Sequence, residues 1–528
     1  MQLITNDIGV ILSGAKRIHD PVAVTMGPSG RTVLCSQIHK PPHLTKDGVS
    51  VATCIKGNNH IEHSTIHIFQ EMAKDTVRET GDGTTTSIVL AYNILTKGFK
   101  RLNKGGNPIE MQRGMLLMVE NIIDELQKMT IPVTSSDMLI NVATIASNND
   151  PVMGELVSKA VNEAGKYGLV NVVKGTTSTD EIKVTDGVTF DKGYKSTYFL
   201  GSSDSITIEY KRPLVFISTD RIDEYKNIEN VIAICNNLRR PMVIICDGMS
   251  QIVLNQVVKL KMDHQLDLVV IDLPGWSNRR KDWAEDIAVV CNGRVHSSIH
   301  KGVTDVISMD SLGELDEIRV SSLKTSMVGG LMNKKLINRH VAKLRETLDS
   351  DSNYDKSIFD ERIAKLKGKL VTISVGGGGE VEVSERKDRI DDALGSVLTS
   401  TKHGVVIGGG NSLLKIADKL NAKDLKGIGT KLGAEILLNS IRAPFETILK
   451  NAGKKGTIAY QIELNILSSK SEHYGYNVYT NEYGNMVDMG VIDPVMVTIT
   501  ALKHAVSTAS SLLTASYVIA DDIIEKRF

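Results

Sequence analysis

Apolar side chains recur at intervals of three and four residues along much of this chain, and short β-branched runs replace that rhythm in its middle. From Asp7 to about Val24 the positions Ile8, Ile11, Leu12, Ala15 and Ile18 predict a helix. The helix ends in a turn, Thr25-Met26-Gly27-Pro28-Ser29-Gly30-Arg31, punctuated by proline and two glycines. Thr32–Cys35 and a segment near His43–Thr45 read as short strands, with a tight turn at Lys46-Asp47-Gly48. Helical spacing returns over Asn59–Thr80, Ile88–Leu102 and Ile109–Met129, broken once by Gly105-Gly106-Asn107-Pro108.

After Pro132, residues 133–186 mix a helix, Leu156–Lys166, with strands at Leu169–Val173 and Ile182–Val184. From Gly187 the pattern becomes strands between helical stretches: Leu214–Ser218, Pro241–Cys246, Leu268–Ile271 and Arg294–Ser297. Such alternation predicts an α/β layer domain, ending near Leu366. Leu370–Val375 and Glu380–Val383 return to strand character around four consecutive glycines, and Ile390–Ser400 is helical. A second glycine-rich loop, His403–Asn411, leads into a mostly helical remainder. Helical and mixed sections thus appear going in and again coming out, with the α/β part innermost.

At 528 residues the chain exceeds what one core can hold. Lys+Arg and Asp+Glu both number 62, so no net charge points to nucleic acid or to an anionic membrane surface. No apolar run approaches the eighteen or so residues of a membrane span, and the first residues lack a signal-peptide pattern. The five cysteines, Cys35, Cys54, Cys235, Cys246 and Cys291, are scattered and contain no C-x-x-C pair, which fits a reducing compartment. The expectation is a cytoplasmic protein. His60, His63 and His67 share one helical face, but no acidic or cysteine ligand joins them in sequence, and a polar helix face explains them without metal.

The candidate chemistry centres on Gly81-Asp82-Gly83-Thr84-Thr85-Thr86. Glycines let a backbone approach an anion closely, and threonines can cap the following helix or donate to phosphate oxygens. Asp82 adds a hard oxygen ligand for a magnesium ion accompanying the phosphates. Taken alone, the hexamer is equally a capped loop-to-helix junction. Neither G-x-x-x-x-G-K-[ST] nor G-x-G-x-x-G occurs, which disfavours the P-loop and dinucleotide folds.

Five strings decide between these readings: Val24–Arg31, Thr45–Ala52, Gly81–Thr86, Gly408–Gly410, and Tyr474–Asn477 leading to Tyr483–Pro494. In that order they resemble the group I, bacterial GroEL-type chaperonin family, as a divergent member, nearly end to end. The resemblance implies a ring-forming ATPase of multidomain α and α/β class with three nested parts. These are a helical equatorial ATP-binding domain (1–130 and 404–528), a small mixed intermediate hinge domain (131–186 and 370–403) and an α/β apical client-binding domain (187–369). It also implies roles. Thr25, Gly27 and Pro28 would line the phosphates, with Thr25 and Lys46 near a K+ ion. Asp82 would hold Mg2+, and Gly83, Thr84, Thr85 and Thr86 the phosphate oxygens of ATP. Gly409, Asn477, Val491 and Asp493 would take the nucleoside. Asp47 and Asp392 would position and activate the attacking water, and hydrolysis would require the section carrying Asp392 to swing onto the site.

The partners implied are non-native client proteins, a homo-oligomeric ring expected to be heptameric, and a co-chaperonin, with no nucleic acid and no membrane. Tyr194, Tyr198, Phe199, Ile232, Val253, Val257 and Val258 are the client or lid contacts the resemblance implies, although periodicity alone places such residues in a core. Glu229, Tyr479 and Lys369 depart from the family pattern at the apical groove, the adenine pocket and the upper hinge. The competing reading is a ring-forming scaffold of the same fold that no longer cycles, a reading that has no use for Asp47, Asp82 and Asp392 together.

Overall fold

The computed structural model describes residues 2–5, 9–37, 40–165, 168–175, 177–200, 207–264, 266–275, 278–297, 307–329, 333–350 and 356–521. The chain folds into two compact units. One comprises Met1–Lys159, Val172–Glu181 and Ser374–Phe528, and the other, set within it in sequence, Ala160–Asn171 and Ile182–Ile373. Each crossing at 171/172, 181/182 and 373/374 falls inside a β-strand (Leu169–Lys174, Glu181–Asp186, Lys369–Val375).

The first unit is helical because its long segments carry one apolar stripe each. Gly9–Ala23, His60–Thr80, Thr84–Leu102, Pro108–Lys128, Ile428–Ser440 and Val495–Leu513 pack those stripes into one core around Ile18, Phe69, Leu90, Met115, Leu437 and Leu502. Their starts follow ordinary capping rules: Asn59 and Asn107 accept from backbone N–H groups of the first turn, and Pro108 occupies the first helical position. The first helix is seen from Gly9, Asp7 and Ile8 lying outside the described residues. Small antiparallel ribbons decorate this body, among them Val33–Gln37 with Lys40–Thr45 and Val405–Ile407 with Ile492–Pro494.

The second unit is built on a parallel sheet in the order Leu268–Asp272, Met242–Cys246, Leu214–Ser218, Val295–His296, with Gly313–Glu314 antiparallel at Leu214–Ser218. Every residue of Leu214–Ser218 and Met242–Cys246 is buried, which is why these runs read as continuous β-branched sequence rather than as alternation. A four-stranded antiparallel sheet, Val188–Phe190, Thr325–Val328, Glu317–Val320 and Ile208–Lys211, belongs to the same unit and core.

Several elements differ from the sequence reading: a helix, Ser136–Ala146, goes unread there, and the loop His403–Asn411 contains the strand Val405–Ile407. Glu380–Val383 is not a strand: it opens the helix Glu380–His403, where Glu380 and Glu382 in the first turn complement the positive helix end. The alternation Glu-Val-Glu-Val fits either period locally, and the acidic start of a long helix prevails. Lys46-Asp47-Gly48 is not merely a turn but the start of a helix, Gly48–Cys54, with Asp47 as its N-cap.

Candidate functional site

Among the described residues, the first unit holds a cavity of about 250 Å³ lined by all fifteen residues that the sequence marks for the nucleotide, the metal and the water. Thr25, Gly27, Pro28, Lys46 and Asp47 come to it from the first turns of the chain, Asp82, Gly83 and Thr84 to Thr86 from the next loop, Gly409, Asn477, Val491 and Asp493 from the C-terminal part, and Asp392 from the helix Glu380–His403.

Glycines make the close approaches possible. Gly83, with φ 101°, stands at the N-cap of the helix Thr84–Leu102, and no side chain caps it, so the first-turn N–H groups face the cavity. Gly410, with φ 75°, does the same for the helix Asn411–Lys419. A Cβ on Gly48 would lie 2.4 Å from Thr85 Oγ1, so the loop carrying Asp47 rests directly on the threonine floor. A Cβ on Gly408 would meet the Asp493 carboxylate at 2.8 Å. The register Val406↔Asp493 in the small ribbon sets that contact.

The carboxyl groups are held by short, directed contacts. Asp47 accepts from Val49 N at 3.0 Å and Ser50 N at 2.7 Å, while its own N–H donates to Thr45 Oγ1 at 3.0 Å. Asp82 accepts from Gly83 N through one oxygen and from Ser396 Oγ, at 3.0 Å, through the other. The Ser396 contact comes from the helix Glu380–His403, which bears on the loop by two further contacts. Thr399 Oγ1 donates to Thr80 O at 3.0 Å, and Gly395 lies so close to Gly81 that a Cβ on either would fall 2.6–2.7 Å from the other's Cα. Docked this way, the helix puts Asp392 in the cavity.

Among the described residues no ion pair reaches Asp47, Asp82, Asp392 or Asp493, although Lys46 and Arg389 also line the cavity. Burial raises the Asp82 carboxyl, and the Asp47 charge raises it further. Burial pushes Asp392 well above the usual carboxylate range, reinforced by Asp82, Asp47, Asp388 and Asp391. Asp493 is pushed to about 6 by burial and by Asp82, against the opposing N–H of Gly409. Asp388, four residues before Asp392, reaches about 6 through burial and Asp47.

Some lining residues were not found from the sequence. Arg389 stands three residues before Asp392, a spacing that gives both the same helix face. Its Nη2 donates to Glu385 at 2.6 Å, while its Nε is buried with no hydrogen-bond partner among the described residues. Asn148 and Asn149, both at positive φ, add a backbone corner. Asn477 turns its carboxamide oxygen to Tyr479 N at 2.9 Å, closing its own turn.

The client-contact residues lie in the second unit, mostly within its core. Phe199, Ile232, Val253 and Val257 are buried, Tyr194 and Val258 are partly buried, and Tyr198 alone is well exposed, at 67%. In this conformation the first four offer no surface, because they fill the space beneath the sheet. Their helices show other apolar groups outward: Ile252 and Met262 are exposed on the helix Gln251–His264.

A family model described as the TCP-1/cpn60 chaperonin family matches residues 18–522. Heat shock protein 60A of Drosophila melanogaster is 35% identical over 515 residues, spanning 97% of this chain and 89% of that protein. The 60 kDa heat shock protein homolog 2, mitochondrial, of the same fly is 36% identical over 521 residues, 98% of this chain and 89% of that protein. Among solved structures, the chaperonin gp146 from bacteriophage EL 2 (Pseudomonas aeruginosa), crystallised in the presence of ATP-BeFx, aligns over 99% of both chains with a TM-score of 0.71 and 24% identity. At that identity the likeness speaks for the fold.

Proposed function

The chain belongs to the TCP-1/cpn60 chaperonin family and is a protein-folding chaperonin, and on that premise we propose that its first-unit cavity binds ATP with Mg2+ and hydrolyses it to drive the folding cycle. One observation carries this reading: two helix N-termini without side-chain caps and the carboxyls of Asp47, Asp82 and Asp392 meet in one cavity. Helix N-termini attract an anion, and clustered carboxyls repel one. A nucleotide triphosphate that brings its own divalent cation satisfies both.

The donor set fits magnesium: hard carboxylate oxygens, Asp82 foremost, with no cysteine or histidine among the described lining residues. When bound, the ion supplies positive charge to the phosphate oxygens and to the carboxyl cluster. The protein's own work is positional. The N–H groups of Thr84 to Thr86 hold the phosphates, Gly409 and Asp493 take the nucleoside, and Ser396 keeps the Asp82 carboxylate oriented. Asp392, with Asp47, aligns a water for in-line attack on the terminal phosphorus; the water's proton passes to a carboxylate as the bond to ADP breaks. Thr25 and Lys46 mark the side for a K+ ion. Release requires the helix Glu380–His403 to lift from the Gly81 loop, so its Gly81–Gly395 and Asp82–Ser396 contacts separate the closed from the open site.

The finer reading follows the three-part division: 1–130 with 404–528 equatorial, 131–186 with 370–403 intermediate, and 187–369 apical, in cytoplasmic rings of seven. Clients bind exposed apolar groups of the second unit, for which Tyr198, Ile252 and Met262 are available. Phosphate release from ATP with and without Mg2+, run beside suppression of aggregation of a chemically unfolded client and single-particle imaging, tests all of this. Rings with magnesium-dependent turnover and client protection are expected; rings that protect clients without any turnover would establish the scaffold reading instead, and monomers without turnover would overturn the proposal.

A further inference from the structure

Away from the nucleotide cavity lining, three side chains with soft or borderline metal-ligating atoms converge: Cys35, His43 and Cys54. Their donor atoms all lie within 4.8 Å of one another, and this is the one such group of cysteine, histidine or carboxylate side chains among the described residues. The convergence follows from local structure. Cys35 and His43 are directly paired across the ribbon of Val33–Gln37 and Lys40–Thr45, which sends both side chains to the same face. Cys54 is the last residue of the helix Gly48–Cys54, which packs on that ribbon, and it borders the core in which Cys35 is buried. His43 and Cys54 are partly exposed, so the site is open to solvent on one side.

We propose that Cys35, His43 and Cys54 bind a single Zn2+ ion, with the fourth position left to water or an external donor. Two thiolates and an imidazole are the donor set this borderline-soft cation prefers. Bond lengths of about 2.3 Å to sulfur and 2.0–2.1 Å to nitrogen set tetrahedral donors roughly 3.5–3.8 Å apart. The present spacing therefore needs a closure of at most about 1.3 Å, within reach of side-chain rotation at a helix end. Hard-oxygen cations such as the magnesium of the nucleotide site are excluded by the same donor set.

The position gives the ion a consequence. His43 precedes and Cys54 follows Asp47, whose carboxylate N-caps the very helix that Cys54 ends. Zinc held between them closes a covalent loop around the segment that presents Asp47 to the nucleotide cavity, and stiffens it without touching the cavity itself.

The test uses the full chain, prepared metal-free under reducing conditions and titrated with Zn2+ against a chromophoric chelator. One equivalent per chain is expected, lost in Cys54→Ser and in His43→Gln, both of which alter partly exposed side chains and are checked for folding by circular dichroism. Co2+ in the unaltered chain is expected to give a thiolate-to-metal charge-transfer band with the intense visible absorption of a tetrahedral centre, which keeps the test decisive even if a variant misfolds. Zinc should also slow backbone hydrogen exchange across residues 33–54. Uptake unchanged in both variants, absence of the cobalt–thiolate band, or recovery of a Cys35–Cys54 disulfide from cells quenched with an alkylating agent would overturn the proposal.

Discussion

Each unit of this protein withdraws an aspartate from solvent, Asp286 fully and Asp392 in part, and the two are treated in opposite ways. In the second unit Asp286, 2% exposed, receives Arg362 Nε at 2.9 Å, Arg362 Nη2 at 2.8 Å and His340 Nε2 at 2.7 Å. In the first, Asp392 shares its cavity with Asp82 and Asp47, and among the described residues no ion pair reaches any of the three. A paired carboxylate completes a core. An unpaired cluster costs stability, and that cost is recovered only when something brings positive charge, so it marks where the ligand belongs.

The contrast can be broken most strongly through its paired member. Asp286→Ala leaves the partly buried Arg362 with only the more exposed Asp282, 3.2 Å away, as its carboxylate partner and should destabilise the second unit by about 3 kcal/mol, read by chemical denaturation, while nucleotide affinity stays unchanged. Asp392→Asn should do the reverse and raise the melting temperature of the nucleotide-free chain. A parallel fall in both variants would show that the two sites are alike after all.

Next in size is the contact between the helix Glu380–His403 and its loop. Gly395→Ala improves helix propensity yet places a methyl 2.7 Å from Gly81 Cα, so turnover should drop roughly a hundredfold with little loss of stability. Unchanged turnover would mean that docking does not govern the chemistry.

A smaller effect is expected from pH. The folded-state value of Asp388 lies at about 6, above the 3.8 of an unperturbed aspartate, so the folded chain binds more protons than the unfolded one between those values. Its contribution to stability therefore falls as pH rises from about 4 to 6 and stays lost above. Asp388→Asn should be more stable than the parent by roughly 1–2 kcal/mol at pH 7, after allowance for partial exposure, and the gap should close towards pH 4. The smallest effect is that of Ser396→Ala, which removes one hydrogen bond worth about 1 kcal/mol from Asp82; turnover should fall five- to tenfold, with a higher Mg2+ requirement.

Much of this site was legible along the chain, but not from periodicity. Helical spacing and β-branched runs reveal the helical ends, the α/β insert and most elements. The five dispersed loops become one cavity only through their resemblance to a family, since each alone is an ordinary glycine turn. What stayed hidden depends on tertiary proximity. Ser396 and Arg389 look like helix surface until the helix is docked on Gly81, and Cys35, His43 and Cys54 look scattered until a ribbon pairs two of them. The apolar residues singled out as client contacts show the converse. Phe199, Val253 and Val257 carry a pattern that core and binding groove share, and the fold buries them.

Everything above turns on whether the first-unit cavity hydrolyses the nucleotide it binds and whether Asp392 decides when. Single-turnover phosphate release from Mg2+·ATP, measured beside ATP affinity for the parent and for Asp392→Asn, separates binding from chemistry at this residue. The parent should release phosphate, and the variant should bind ATP within a few-fold of the parent but release phosphate about 10²–10⁴-fold more slowly. Equal release from both would show that Asp392 has no part in the chemistry.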